Sequence, residues 1–249
     1  MAASRIRIFK DFGVFDWVLV CGVTVCTVIY SYFSSDSLLT FDWLGTISAV
    51  TGMLSVVLAT HASLHAYTFG LVNVITYAIV SYKSNVLGDC LLYAVYYLPM
   101  QVIGWIAWSR HTLEDDATTV TPRRMSGRAR AVTALLSVLA VAALGLTLYW
   151  LRSLTAEHPF IERWHLFSRY PFIDAVTTVS AAVGQYLMVK AFAEQWILWI
   201  AVDAVSLFLW SLLAAEGTPH SAVMVIMYVF YLANCVNGAR LWNRSTSVR

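Results

Sequence analysis

Four strongly polar side chains lie inside stretches of sequence that are otherwise apolar: Asn73, Gln101, Asp203 and Asn234. Within a membrane such groups are costly to bury, so they usually face a cavity or the interior of a helix bundle. Amides can donate and accept hydrogen bonds, and a carboxylate can compensate the charge of a cation. We therefore interpret these four residues as candidates for binding a polar ligand.

Aromatic side chains accompany the polar residues at the spacing of one helix face, on which residues i, i+4 and i+8 are neighbours. Three sets follow this spacing: Phe69, Asn73 and Tyr77; Tyr93, Tyr97, Gln101 and Trp105; and Gln195, Trp199 and Asp203. Aromatic rings stack on flat ligands, while amides bind amide and hydroxyl groups. The layer suits a flat ring with a carboxamide and a ribose, although spacing alone does not identify the ligand.

Two alternatives stay open for each of these residues. A lone Asn or Gln in a membrane helix more often joins two helices, with a contribution of about 1 kcal/mol, than contacts a ligand. Aromatic stripes more often serve packing or the interfacial belt of a membrane protein. The combination of amides, a carboxylate and aromatics at similar depth favours a site.

The composition sets the class of protein. Of 249 residues, 59% are hydrophobic and 12% are charged, whereas about a quarter of the residues of a soluble domain are charged. The net charge is +2 without a basic run, so we expect no nucleic-acid partner. The four cysteines predict neither disulfides nor a zinc site. Hydrolytic and phosphate-binding motifs are absent from the sequence, so we expect no enzyme, metal or cofactor.

Eight apolar segments are long enough to cross the bilayer core, which takes about 20 residues of helix. We predict an all-α integral membrane protein whose helices span residues 14–33, 41–60, 66–82, 87–108, 131–150, 171–190, 196–213 and 220–241. Placing the N-terminus in the cytoplasm puts twelve of the 16 Lys and Arg residues inside. The positive-inside rule thus predicts that both termini are cytoplasmic.

The chain also repeats itself. Tyr97-Leu98 with Val102, Gly104 and Trp108 recurs 134 positions later, from Tyr231 to Trp242. The repeat predicts a 3+1+3 core of parallel repeats, because one helix between two triplets gives both the same orientation. The predicted units are an N-terminal anchor helix (1–40), a first three-helix block (41–108), a polar, flexible loop with a linker helix (109–170), and a second block with the C-terminal tail (171–249).

Several motifs resemble one family, the Pnu vitamin-precursor transporters, and most closely its nicotinamide riboside transporters, called PnuC. The resembling stretches are Tyr67–Asn73, Leu98–Gln101 followed by Gly104, Trp105 and Trp108, Tyr170–Ala175, and Gln195–Trp199 with Asp203. They fall within about residues 41 to 243, which leaves helix one outside the resemblance. Gln195 departs from the Asn expected at that position.

The resemblance implies a fold like that of full-length SWEET sugar transporters in a bacterial inner (cytoplasmic) membrane. It implies uptake of nicotinamide riboside by facilitated diffusion, with trapping by a cytoplasmic nicotinamide riboside kinase. It also implies substrate-binding positions at Asn73, Tyr77, Gln101, Gln185, Trp196, Trp199, Asp203 and Asn234. To these positions the aromatic stripe that contains Gln101 adds Trp105. A proton- or sodium-coupled transporter of a related precursor such as thiamine or riboflavin is the alternative. A homo-oligomer is left open.

Overall fold

The helices of this chain are long and apolar. A computed structural model describes residues 8–33, 43–83, 90–112, 118–155, 170–215 and 221–247. Within these ranges the eight helices are α1 (Val14–Phe33), α2 (Trp43–Thr60), α3 (His65–Lys83), α4 (Leu92–Ser109), α5 (Gly127–Thr155), α6 (Pro171–Val189), α7 (Gln195–Ala215) and α8 (Ser221–Ser247).

The eight predicted helices are confirmed, and the predicted starts at residues 41, 87 and 220 lie outside the described residues. The main difference is α5, which at 29 residues is longer than predicted at both ends. Its first turn continues the polar loop before it, so hydropathy alone does not mark where this helix begins. Four helices (α1, α2, α5 and α6) are long and apolar enough to cross a membrane by length and composition.

The fourth helix contains a π-helical segment over Leu92–Tyr97 and continues as an α-helix over Leu98–Ser109. Pro99 is the physical reason we assign to the change, because it has no N–H to donate to the carbonyl four residues earlier. A π-helical segment is one way in which a helix adjusts next to such a gap. The helix therefore accommodates Pro99 through a wider helical turn just before it.

Six helices form a closed ring of contacts. Within each set of three consecutive helices, α2 packs on α3 and α3 on α4, while α6 packs on α7 and α7 on α8. The ring closes through two further contacts, α4 with α6 and α8 with α2. The third helix of each set thus packs against the first helix of the other set.

The remaining two helices lie outside this ring. The fifth packs against α6, and many of its apolar side chains are exposed, including Leu135 and Val138. The first packs against α2 and α8, where Leu19, Val20 and Val23 are buried with Met53 and Val57. The exposed apolar faces suit contact with lipid, because lipid tails are themselves apolar.

A contact between a buried carboxylate and a histidine fixes the start of α1. The Asp16 carboxylate, 4% exposed, accepts a hydrogen bond from the Gly13 N–H at 2.9 Å and lies 3.0 Å from His61 Nε2. Phe12 stacks on the His61 ring at a centroid distance of 5.8 Å. His61 belongs to the turn between α2 and α3, so α1 is docked onto the ring.

Two equivalent turns lie on the same side of the ring. Ala62, between α2 and α3, and Ala191, between α6 and α7, both have positive φ, at 52° and 55°. The segment of residues 118–126, which we call the strap, bonds to both turns. Its Thr118 and Val120 bond to the first turn at 2.7 and 3.0 Å, and Arg123 makes two backbone bonds of 2.8 Å to the second. The sequence predicted a flexible loop here; the structure instead ties this part of it to both sets of helices.

The repeated tryptophans join the two sets as well. The Trp108 indole N–H of α4 donates to the Met188 carbonyl of α6 at 3.1 Å. The Trp242 indole N–H of α8 donates to the Thr60 carbonyl of α2 at 3.0 Å. Both tryptophans are 1% exposed. The repeated motif therefore encodes a pair of exchanged contacts on the strap side of the ring.

Candidate functional site

The ring of six helices surrounds a cavity of about 390 Å³. This volume is within the range that small-molecule sites occupy. Each helix of the ring contributes polar or aromatic side chains to it. Those that line it include Ser48 and Ser55 of α2, Asn73 and Tyr77 of α3, Tyr93, Tyr97 and Gln101 of α4, Thr177, Thr178 and Gln185 of α6, Gln195, Trp196, Trp199, Asp203 and Ser206 of α7, and Tyr228, Tyr231 and Cys235 of α8.

Equivalent faces of α4 and α8 line opposite parts of this cavity. On α4 the lining residues are Tyr93, Tyr97 and Gln101, and 134 positions later they correspond to Met227, Tyr231 and Cys235 on α8, which also line it. The cavity therefore lies where the two repeats meet. The repeat aligns Gln101 with Cys235. From the sequence, Gln101 is instead predicted to lie at a similar depth to Asn234, the residue just before Cys235.

Asp203 is the only charged residue among the described residues that line the cavity. Its side chain is buried, with the residue 6% exposed. Its carboxylate accepts a hydrogen bond from the Cys235 Sγ–H at 3.1 Å. A buried carboxylate with so little compensation is unfavourable unless a cation or a further donor joins it. The charge of the cavity thus favours a cationic ligand.

Three glutamine side chains present buried amide atoms that have no hydrogen-bond partner in the structure. They are Gln101 Oε1, Gln185 Nε2, and both amide atoms of Gln195. All three residues line the cavity, and Gln195 is completely buried. Buried amide atoms are normally paired, so unpaired ones that line a cavity are available to a ligand. Gln195, which departs from the family pattern, is the most extreme of the three.

Asn73 lines the cavity but is also tied to its neighbouring helix. Its Nδ2 donates to the Ser48 carbonyl at 2.8 Å and to Ser48 Oγ at 3.2 Å. Gly52 permits this approach, because a Cβ there would lie 2.8 Å from Asn73 Nδ2 and 2.9 Å from the Tyr231 hydroxyl. The Asn73 amide nitrogen thus joins α2 and α3 at the wall of the cavity.

Aromatic rings form the rest of the wall. Tyr77 and Tyr93 stack with centroids 4.2 Å apart, and Tyr97 lies 4.9 Å from Tyr93. On the other repeat, Trp196 and Trp199 line the cavity; Trp196 is 2% exposed and its indole Nε1 has no hydrogen-bond partner. Aromatic faces attract cations and stack on flat rings. The aromatic wall therefore favours the same kind of ligand as Asp203, one with a cationic flat ring.

Two of the predicted site residues do not line the cavity. Asn234 is fully buried, and its Nδ2 donates to the Val56 carbonyl at 3.1 Å, so it joins α8 to α2. Trp105 is 48% exposed on the outside of α4. Four residues of an α-helix turn through more than one full turn, so side chains spaced four residues apart drift around the helix by about 40° at each step. The stripe from Tyr93 to Gln101 stays on one face through the π-helical turn, and Trp105 leaves it. The other seven predicted residues line the cavity.

Some lining residues were not selected from the sequence. Ser48, Ser55 and Thr178 carry too common a side chain to be recognised. In the sequence, Cys235 indicates neither a disulfide nor a zinc site, although the repeat register with Gln101 could have identified it as a lining residue. The two turns correspond in the same way, because Ala62 in the first and Ala191 in the second both have positive φ and lie 129 positions apart.

Comparison with known proteins places the chain among vitamin transporters. The model of a family described as nicotinamide mononucleotide transporter matches residues 42–244. A nicotinamide riboside transporter PnuC from Neisseria mucosa is 33% identical over 205 residues, covering 82% of this chain and 73% of that protein. The Haemophilus influenzae protein of the same name is 30% identical, covering 82% and 80%.

A solved structure extends this likeness to the fold. The crystal structure of the vitamin B3 transporter PnuC superimposes with a TM-score of 0.75 at 30% identity, and the alignment covers 97% of this chain and 95% of that one. Because so little of the chain is left out, the alignment reaches α1, which the sequence resemblance did not include. The first helix is therefore shared with that structure.

Proposed function

The chain belongs to the nicotinamide mononucleotide transporter family, and we propose that it carries nicotinamide riboside across the membrane by facilitated diffusion. The family and the relatives are transporters, as the sequence predicts, and not enzymes. The substrate of the relatives' name has a cationic pyridinium ring, a carboxamide and a ribose. Each of these groups has a counterpart among the side chains of the cavity.

The observation on which the substrate rests is the charge of the cavity. Asp203 is buried there, and the described lining residues include no Lys, Arg or His. A pyridinium cation would compensate the carboxylate, whereas the phosphate of a mononucleotide would add negative charge that nothing in the lining neutralises. The charge of the cavity therefore favours the riboside over the mononucleotide, although the family description names the mononucleotide.

The neutral parts of the substrate match the glutamines. A carboxamide and ribose hydroxyls offer both donors and acceptors, as the unpartnered amide atoms of Gln101, Gln185 and Gln195 require. We assign the binding site to the cavity residues Asn73, Tyr77, Gln101, Gln185, Trp196, Trp199 and Asp203. Asn234 supports the wall from behind, through its bond to Val56.

Transport itself would use the two sets of three helices as parallel repeats in a 3+1+3 arrangement like that of SWEET transporters. The exchanged contacts of Trp108 and Trp242 support this, because they bring the C-terminal ends of α2, α4, α6 and α8 to one side. Rocking of one repeat against the other would open the cavity to either side in turn. The basic residues favour a cytoplasmic location for the strap side and for both termini in a bacterial inner membrane.

Facilitated diffusion would only equalise the substrate concentration, so net uptake would depend on phosphorylation by a cytoplasmic kinase. A coupled transporter is the second candidate, because the buried Asp203 carboxylate offers one place for a proton or a sodium ion. Uptake that rises with an imposed proton or sodium gradient would favour coupling. Uptake that is the same with and without each gradient would favour facilitation.

Calorimetric titration of the purified protein tests the substrate. Nicotinamide riboside, nicotinamide mononucleotide, thiamine and riboflavin should be compared under one set of conditions. We expect the riboside to bind at least tenfold more tightly than the mononucleotide, because only the latter brings an uncompensated phosphate into the cavity. Equal affinity for both, or tighter binding of thiamine or riboflavin, would contradict the assignment.

A further inference from the structure

We propose that Cys235 positions the Asp203 carboxylate and thereby sets the preference of the cavity for a cationic ring over a neutral ring of the same shape. The proposal rests on the proposed function, since it concerns how that substrate is selected. Its basis is a single contact between two cavity residues on neighbouring helices, Sγ of Cys235 on α8 and Oδ2 of Asp203 on α7, at 3.1 Å.

The contact is well placed to fix the carboxylate. Cys235 is 5% and Asp203 6% exposed, and both line the cavity. Among the residues that the structure describes, the thiol is the one hydrogen-bond donor to Asp203. Without it, the carboxylate would have no hydrogen-bond donor among the described residues.

The weakness of the donor matters as much as its position. A thiol is a weak hydrogen-bond donor, and a carboxylate can accept about four hydrogen bonds. Cys235 can therefore orient Asp203 while most of its accepting capacity and charge stay available to a ligand. A cationic ring gains from that charge, whereas a neutral ring of the same shape must enter beside a charge that it cannot compensate.

The repeat supports a specific role at this position. The equivalent residue on α4 is Gln101, which has a buried Oε1 without a partner and lies against Gly70, where a Cβ would be 2.5 Å from that oxygen. The two equivalent positions thus differ in chemistry, with an unpartnered amide on one repeat and a thiol bonded to a carboxylate on the other. The difference gives the cavity a neutral polar side and a charged side.

The test compares two ligands across matched variants. Nicotinamide riboside carries the cationic ring, and its reduced 1,4-dihydropyridine form has the same carboxamide and ribose without the charge. Each should be titrated against the wild type, Cys235→Ala, Cys235→Ser and the control Cys26→Ala, whose cysteine lies on α1 outside the cavity lining.

For Cys235→Ala we expect the affinity for the cation to fall about tenfold, because a carboxylate that is no longer held toward the ligand loses a contact of the strength of one charged hydrogen bond, with less than a twofold change for the neutral ligand. Cys235→Ser, which keeps a donor, should recover the cation affinity to within about threefold. Equal losses for both ligands, no loss for either, or a Ser variant as weak as Ala would overturn the proposal.

A second measurement separates this proposal from the proposed function. The infrared S–H stretching band of Cys235, assigned by its loss in Cys235→Ala, should move to higher frequency in Asp203→Asn, because the amide is a weaker acceptor than the carboxylate. If the wild type binds neither ligand, the proposed function fails. An unshifted band would overturn the positioning role whatever the protein binds.

Discussion

Gln185 and Gln195 lie on neighbouring helices and keep amide atoms buried without a hydrogen-bond partner. In a structural interior such atoms are normally paired, because each unpaired one is unfavourable by about 1 to 3 kcal/mol. Asn73 shows the contrasting case, since its amide nitrogen bonds to the Ser48 carbonyl. Asn234 Nδ2 bonds to the Val56 carbonyl, while its Oδ1 has no partner among the described residues and does not face the cavity lining. For single residues, an unpaired amide atom marks availability to a ligand only where the residue also lines the cavity.

The first prediction concerns the charge of the cavity. Asp203→Asn removes the carboxylate and keeps the shape, so we expect the affinity for nicotinamide riboside to fall at least tenfold, as for a lost hydrogen bond or contact with a charged group. Calorimetric titration measures it, and Asp11→Asn, at an exposed position before α1, is the control. Wild-type affinity of the Asp203→Asn protein would show that the carboxylate does not contribute to binding the substrate.

The second prediction separates binding from stability. Gln195→Met replaces two unpaired amide atoms by an apolar side chain of similar size, so the melting temperature should stay the same or rise. The affinity for nicotinamide riboside should fall about fivefold, because one neutral hydrogen bond contributes about 1 kcal/mol. Thermal melts and titrations measure the two effects. A lower melting temperature with unchanged affinity would show that Gln195 is structural.

Sequence reasoning found the residues whose chemistry is unusual for their surroundings. An Asp or a Gln inside an apolar helix stands out, so Asp203 and Gln101 could be selected, whereas Gln185 came only from the family resemblance. Cys235 could not be selected by type, because a thiol is common in apolar cores. Its role depends on a contact with Asp203 between two helices, which hydropathy and spacing do not encode.

At the scale of elements, the repeated Y-L-x-x-x-V-x-G-x-x-x-W motif explains two packing sites. Its glycine permits close approach of a ring: a Cβ at Gly104 would overlap Tyr67, and one at Gly238 would lie 2.7 Å from Trp196. The tryptophan that ends each copy then donates to a carbonyl of the other set of helices. The motif is thus a device for joining the two sets.

The third prediction follows from this exchange. Trp108→Phe and Trp242→Phe each replace the indole by a smaller aromatic ring and lose one buried hydrogen bond. We expect each to lower the melting temperature by a similar amount, about 3 to 6 °C. Trp150→Phe, at a position 62% exposed on α5, is the control and should change it little. A large effect at one tryptophan and none at the other would contradict the equivalence of the two contacts.

The existence of the eight helices was predictable, because a membrane-spanning helix needs a long apolar run that is visible in sequence. The strap was not, because its order depends on backbone hydrogen bonds to turns far away in the chain. The π-helical segment of α4 was predictable only as a local break in α-helical hydrogen bonding beside Pro99. The sequence locates a missing donor there but does not determine which helical form compensates for it.

At the scale of the whole molecule, a ring of six helices around one cavity has a simple consequence. The two sets meet at α4 with α6 and at α8 with α2, so motion of one set against the other changes access to the cavity at both contacts together. The strap and both tryptophans join the sets on one side. In the proposed rocking motion, opening that side would break or bend these bonds.

We propose that this molecule lets nicotinamide riboside cross a membrane without any other source of energy. The test is the uptake of labelled nicotinamide riboside into liposomes that contain the purified protein, with no ion gradient and with protein-free liposomes as the control. We expect protein-dependent uptake that stops at equal inside and outside concentrations, and that is slower at low substrate concentration for Asp203→Asn. Accumulation above the outside concentration, or uptake no faster than in empty liposomes, would contradict it.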